Sequence, residues 1–235
     1  MPNLSKAVRA AQKLSNDAST SIVTQAVHVP SKYHLEVHDA LGVSEQTRQA
    51  VWELYADNMR TTLLASSFGW DPVDKKKEIF HKHGRLLLIH APETNRLLGF
   101  SSYRFDVDEN PDEVFEDVLY IYEVQVAPFA RRHGLGDLMI RSMEALASHA
   151  RMLKVMLTVL VGNAAAIGLY SRAGFTVDPT SPLTATEFAD VAAEGNNASH
   201  VRNLDDGGDD GEVYDYFILS KLISASQTVA SVTAS

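Results

Sequence analysis

No cysteine occurs among the 235 residues, which excludes disulfides, zinc–thiolate sites and thiol nucleophiles together. Long apolar runs are also missing. None approaches the roughly 20 residues that span a bilayer, so no membrane contact is expected. The N-terminus has no apolar h-region and does not read as a secretory signal. Lys and Arg between Ser5 and Lys13 leave a transit peptide open, although Asp17 counts against it. Bases are in deficit: 21 Lys and Arg stand against 30 Asp and Glu, a formal net charge of −9. Nucleic-acid affinity rests on cationic contacts to phosphate, so direct binding to it is not expected. Such a charge suits a basic partner, and equally plain solubility. Metal-ligand patterns are absent too. His81 and His83 have no acid in ligand spacing, and the run Asp205-Asp206-Gly207-Gly208-Asp209-Asp210 lacks the spacing of a calcium loop, so no metal is expected.

What remains is enough for one core and a small extension. Residues 1–35, rich in Ala, Ser and Thr, read as an arm, helical or disordered. Ser44 fits the N-cap of a helix whose apolar positions are Val51, Leu54, Tyr55, Met59, Leu63 and Leu64. Phe68-Gly69-Trp70 ends it, and Asp71-Pro72 starts a second helix toward His81. The period then changes. Strands are expected at 85–90, 97–107 and 118–126, with an acidic loop at 106–117 between the last two. Seven acids in that loop, from Asp106 to Asp117, suit electrostatic steering of a basic tail. An amphipathic helix follows at 134–149, a strand at 154–161, a helix at 163–172 stopped by Gly174, and a strand start at 175–178. Residues 179–212 read as a long surface loop, 213–222 as a closing strand, and 224–235 as a flexible tail. The order predicts one α/β domain over 36–223, a mixed central β-sheet flanked by helices.

The sharpest local feature is Val126-Ala-Pro-Phe-Ala-Arg131-Arg132-His133-Gly134-Leu135-Gly136, which joins a strand to a helix. Glycines at 134 and 136 let the backbone approach a ligand, and a helix start offers unpaired N–H groups. Those donors, the helix dipole and the nearby arginines suit a pyrophosphate. The turn is neither a Walker loop nor a dinucleotide fingerprint: no Gly-Lys-Ser/Thr follows, and Leu138-Met139 stands where a third glycine would be.

Arg131-x-x-Gly134-x-Gly136 resembles the acetyl-CoA pyrophosphate motif of the GNAT acetyltransferases. So does the later stretch Asn163-Ala-Ala-Ala-Ile-Gly-Leu-Tyr170-Ser-Arg-Ala-Gly174-Phe175, which in that superfamily packs beside the CoA arm. The resemblance implies the GNAT fold and acetyl-CoA as cosubstrate. It places the coenzyme along Val124, Gln125 and Val126, over Arg131, Arg132, His133, Gly134, Leu135 and Gly136, and beside Asn163 and Tyr170.

Further segments resemble one branch, the N-terminal acetyltransferases of D type, which modify histone-4 and histone-2A. They include Arg104-Phe105-Asp106-Val107, Tyr120-Ile121-Tyr122-Glu123-Val124-Gln125, Leu157-Thr158-Val159 and Tyr216-Phe217-Ile218. The resemblance runs from about Trp52 to Pro182 and resumes at Tyr214. It implies that Tyr120, Tyr122 and Glu123 line the peptide site. Asp106 would take the arginine of a Ser-Gly-Arg-Gly tail, Phe68 or Trp70 would wall the pocket, and Thr158 and Tyr216 would approach from the other side. Two positions depart from the branch pattern: Leu63 replaces an aromatic, and Phe68-Gly-Trp70 replaces Trp-Gly-Trp.

The reaction expected is attack of a neutral amine on the thioester. Glu123 is the first choice of general base and Asp106 the second; Tyr170 would protonate the leaving thiolate, and the Val126 amide would polarise the carbonyl. The alternatives are a GNAT enzyme for lysine or small amines, and a CoA- or histone-binding module without turnover. Basic tails place the expected work in cytoplasm and nucleus, performed by a monomer. No basic nuclear signal supports this, since Lys75-Lys76-Lys77 is too short.

Overall fold

The computed structural model describes residues 4–194 and 214–223. In chain order the elements are α1 (Lys6–Ala11), α2 (Asn16–Ala26), β1 (His34–Asp39), α3 (Glu45–Leu64), α4 (Pro72–Ile79), β2 (Arg85–His90), β3 (Leu97–Glu109), β4 (Phe115–Val126), α5 (Leu135–His149), β5 (Lys154–Leu160), α6 (Ala164–Arg172), β6 (Thr176–Val177), α7 (Ala185–Glu194) and β7 (Tyr216–Leu222). A single 3-10 turn, Pro128–Ala130, lies between β4 and α5.

The seven strands form one sheet in the order β1-β2-β3-β4-β5-β7-β6. Only β4 and β5 run parallel; the other neighbours are antiparallel. Strand β2 is inside the sheet and covered on both faces, so Leu86, Leu87, Leu88 and Ile89 form an uninterrupted apolar run, each at most 2% exposed. Helix α5 presents Leu135, Leu138, Met139, Met143 and Leu146 to the core at helical spacing.

Three expectations change. From residue 4 the N-terminal segment is helical, one of the two forms expected, and it packs against the sheet. Val8 and Val23 are fully buried in the main core, and Gln12 Nε2 donates to the Phe105 carbonyl at 2.9 Å. The buried guanidinium of Arg85 donates to the carbonyls of Gln12 and Leu14 and ion-pairs with Asp39. The unexpected edge strand β1 follows, its Leu35 and Val37 buried between polar neighbours. Next, the acidic loop is the tip of a long hairpin. Strands β3 and β4 stay paired out to Glu109↔Phe115, and only the short turn around Asn110 is unpaired. Last, residues expected as loop include α7, started by a reciprocal Thr184–Glu187 cap. Its Phe188 meets Phe217 edge-on at 5.2 Å. The rest of that loop, from 195, and the tail 224–235 lie outside the described residues.

Candidate active site

Strands β4 and β5 pair from Val118↔Lys154 to Ile121↔Leu157 and then part. Beyond that point β4 continues on β3 to Val126↔Gly99, and β5 continues on β7 to Leu160↔Tyr216. A wedge opens between them, filled by a cavity of about 630 Å³. Ala127 donates to Leu98 of β3 at 2.9 Å. The antiparallel alternation therefore turns the N–H and C=O of Val124 and Val126 to the opposite, open side. The Val126 carbonyl is taken by Asn58 Nδ2 at 3.1 Å and Arg131 Nε at 3.3 Å. Its amide has no strand opposite it and can donate to a thioester carbonyl.

The β3–β4 register slips once. Glu123 faces Ser102 and Ile121 faces Tyr103, leaving Tyr122 as the extra residue of a bulge. In a regular strand Tyr122 and Glu123 would point to opposite faces. Here both reach toward α4. The Arg104 guanidinium lies 4.1 Å from the centre of the Tyr122 ring and donates to the Glu78 carbonyl at 2.6 Å. Glu123 Oε1 meets Lys75 Nζ at 2.7 Å.

Glu123 is buried. Its Oε2 accepts from Gln125 Nε2 at 2.7 Å, and Gln125 Oε1 accepts from Asn58 Nδ2 at 2.9 Å. Burial pushes the Glu123 carboxyl above the usual glutamate range, offset only in part by Lys75 and Gln125. A carboxylate so placed is a better base near neutrality. Burial alone would lower Lys75, but the carboxylates of Glu123 and Glu78 outweigh it and hold the ammonium. Tyr120 Oη and Thr158 Oγ1 are 2.6 Å apart, and burial raises the Tyr120 phenol to about 12. Burial likewise raises Tyr170, which keeps its proton near neutrality.

The turn beyond β4 is shaped for an anion. Arg132 (φ 65°) and Gly134 (φ 81°) are left-handed, and Gly134 occupies the N-cap of α5. No side chain caps α5, whereas Ser5, Ser15, Ser44, Asp71 and Asn163 cap α1, α2, α3, α4 and α6. The first amides of α5 thus stay free of side-chain acceptors. Leu135 is 2% exposed and offers its backbone alone. A Cβ at Gly136 would lie 2.9 Å from Leu169 Cδ2, the flexible tip of a side chain on α6 that would have to shift. Arg131 is folded back onto Asn58 Oδ1 at 2.6 Å rather than over the turn. The His133 Nδ1 lies 2.7 Å from the Arg131 carbonyl. Asn163 caps α6 and also lines the cavity.

The expected peptide-site residues are only partly brought together. Tyr120, Tyr122, Glu123, Thr158 and Phe68 line the cavity. Trp70 does not: it stacks on Tyr55 at 5.8 Å and meets Trp52 at 5.7 Å, as packing. Tyr216 is also outside the lining, against the Phe68 ring at 5.0 Å. Asp106 lies outside it too, two residues beyond Arg104 on the same strand face, with Oδ1 accepting from the Val107 amide at 2.9 Å. The acids that do line the cavity besides Glu123 are Asp71, Asp74 and Glu78. With Lys75 they fall three and four residues apart, one face of a helix, which is the sequence signal that would have found them. Tyr55 of α3, which also lines the cavity, read as one of the apolar core positions of its helix.

The model of the Acetyltransferase (GNAT) family matches residues 48–175, more than half of the chain. The chain belongs to the GNAT acetyltransferases. Among solved structures it is similar to Arabidopsis thaliana NAA60 in complex with a bisubstrate analogue: 14% identity, 81% of this chain and 100% of that one, TM-score 0.53. It is also similar to spermidine N-acetyltransferase from Vibrio cholerae in complex with CoA and spermine, at 14% identity, 83% and 97% coverage and TM-score 0.50. Tetrahymena GCN5 matches at 10% identity, 83% and 98% coverage and TM-score 0.50. At such identities the likeness is one of fold. As a GNAT enzyme the protein uses acetyl-CoA as cosubstrate. The uncapped start of α5 and the open edge of β4 suit its diphosphate and its acyl arm. Among the described residues, no three His, Asp or Glu side chains are grouped to hold a metal ion.

Proposed function

We propose that this GNAT enzyme transfers the acetyl group of acetyl-CoA to the N-terminal amine of basic tails of the histone-4 and histone-2A type, beginning Ser-Gly-Arg-Gly. One observation carries the reading: the bulge puts Tyr120, Tyr122 and the buried Glu123 on one wall of a cavity that α4 lines with carboxylates. An α-amine titrates near ~8 and a lysine side chain near ~10.4, so the former needs only a modest base. Glu123 takes the amine proton, directly or through a water; the Val126 amide steadies the carbonyl oxygen; Tyr170 returns a proton to sulfur. Asp71, Asp74 and Glu78 attract the tail's positive charge, a role the family resemblance implied for Asp106. Phe68 walls the mouth, with Tyr216 behind it. Such tails are met in cytoplasm and nucleus, where we place the enzyme.

An acid-lined cavity also suits a polyamine, so the test needs both kinds of acceptor. Steady-state rates would be measured with a Ser-Gly-Arg-Gly peptide, the same peptide N-terminally blocked, and spermidine. The expected result is turnover of the free peptide and a loss of at least about 100-fold on blocking. Equal rates for free and blocked peptides, or a preference for spermidine, would overturn the proposal.

A further inference from the structure

Glu123 presents a difficulty that the structure itself resolves. A carboxylate with 8% exposure would ordinarily keep its proton, and a protonated acid cannot serve as a base. The groups facing it come from several elements. Helix α4 contributes Lys75 and Glu78, with Asp71 and Asp74 on the same cavity. Helix α3 contributes Tyr55, α6 contributes Tyr170, and β4 contributes Tyr122 beside Glu123 itself. Arg104 of β3 is engaged by the Tyr122 ring and the Glu78 carbonyl. Among the described residues, Lys75 is the cation that ion-pairs with Glu123. Its Nζ lies 2.7 Å from Glu123 Oε1, also bonds Glu78 Oε1, and sits 5.4 Å from the Tyr55 ring centre. The side chain is only 22% exposed, so water screens the contact weakly.

Resting on the assignment of Glu123 as the base, we propose that Lys75 is a positioning residue for acetyl transfer: its ammonium is the counter-charge that keeps the buried Glu123 ionised. Glu78 sets how much of that charge Glu123 receives. Lys75 is not itself an acceptor, because two carboxylates hold it as an ammonium without a lone pair. The signs follow. Without Lys75, burial acts unopposed, Glu123 binds its proton more tightly, and the acid limb of the rate profile moves to higher pH. Without the Glu78 carboxylate, Lys75 turns wholly to Glu123, and the limb moves to lower pH.

The test is the pH profile of kcat/KM with acetyl-CoA and a Ser-Gly-Arg-Gly peptide, for wild type, Lys75→Met, Lys75→Arg, Glu78→Gln and Glu123→Gln. The peptide amine titrates alike in all five, so a difference between profiles belongs to the protein. Lys75→Met is expected to shift the acid limb up by about one unit, a tenfold loss below it that recovers at high pH. Lys75→Arg should track wild type, and Glu78→Gln should shift the limb down. A Lys75→Met enzyme slowed equally at every pH would overturn the proposal. Should that variant fail to fold, an unmoved limb in Glu78→Gln would do the same. Glu123→Gln with wild-type rates would instead overturn the base assignment. Loss in Glu123→Gln with an unmoved Lys75→Met limb would sink the role of Lys75 alone.

Discussion

Tyr120 Oη and Thr158 Oγ1 meet at 2.6 Å across the mouth of the wedge, just where β4 and β5 cease to pair. The bond joins the two walls of the cavity by side chains where the backbone ladder no longer does. Tyr120→Phe removes it and leaves the ring against Tyr122. The expected stability loss is about 1 kcal/mol, the net worth of one such bond, read by thermal denaturation. The peptide kcat/KM is expected to fall roughly tenfold, because the peptide wall is no longer held in register. CoA affinity should be unchanged, since the coenzyme turn lies at the other end of β4.

Glu123→Gln keeps the bond with Gln125 and removes the base. Turnover is expected to fall by about 10² or more, the usual worth of a general base, while calorimetry with CoA gives the wild-type heat. Asp106→Asn, outside the cavity lining, is expected to change the rate by less than about threefold. The opposite ranking would restore Asp106 to the catalytic role that the sequence left open.

The same substitution has a stability consequence of opposite sign. Burial raises the Glu123 carboxyl in the folded chain. A raised carboxyl contributes stability below its unfolded value, near ~4.3, and loses it as pH rises through the folded value. Above that window the folded chain carries a buried charge at a cost. Glu123→Gln should therefore melt higher than wild type at pH 8, with Lys75 still satisfied by Glu78. The gap should close as pH falls toward 5. A gap that widens instead would mean that Lys75 overcompensates the burial.

Gly134 is left-handed at φ 81° and caps the helix whose uncapped first amides suit a diphosphate. Gly134→Ala should cost about 1–2 kcal/mol and weaken CoA binding about tenfold, because the first amides of α5 shift. Calorimetry with CoA reads the second effect separately from the first.

Removing residues 4–14 tests whether the N-terminal segment belongs to the domain. It strips fully buried Val8 from the core and leaves the buried Arg85 without the carbonyls of Gln12 and Leu14. The loss expected is about 3 kcal/mol or more, enough to lower the melting temperature sharply. A detachable arm would leave it unchanged.

The regular part of the fold was legible because it obeys one rule at a time. The run 85–90 is apolar because β2 is covered on both faces, and α5 repeats its apolar positions at helical spacing. What was not legible depends on partners distant in sequence. The Ala- and Ser-rich α1 and α2 look solvated until the link between them is tied down, where Gln12 bonds the Phe105 carbonyl of β3 and Arg85 of β2 takes the Gln12 and Leu14 carbonyls. Strand β1 did carry a signal, the alternation of Leu35 and Val37 with charged neighbours, but six residues ending in Asp39 compete with turn chemistry. In the site, Tyr120, Tyr122 and Glu123 stood out through the resemblance to the N-terminal acetyltransferases of D type; on their own they read as packed aromatics beside a strand acid. The shared face of Tyr120 and Tyr122 follows from strand alternation and is observed, their rings 5.0 Å apart; that Glu123 joins them was not legible, because it needs a bulge that no local pattern announces. Lys75 looked like part of a solvated basic triplet. Its neighbours Lys76 and Lys77 lean on Trp52 and Asp74, and only the helix face separates it from them.

The chemistry itself is decided by where the acetyl group lands. A peptide beginning Ser-Gly-Arg-Gly and carrying lysines farther along would be incubated with enzyme and acetyl-CoA and then sequenced by tandem mass spectrometry. Glu123→Gln would run in parallel. One acetyl group on the N-terminal amine, absent with the variant, is the predicted outcome. Acetyl groups on lysine side chains with a free N-terminus would show that the wedge serves a different acceptor.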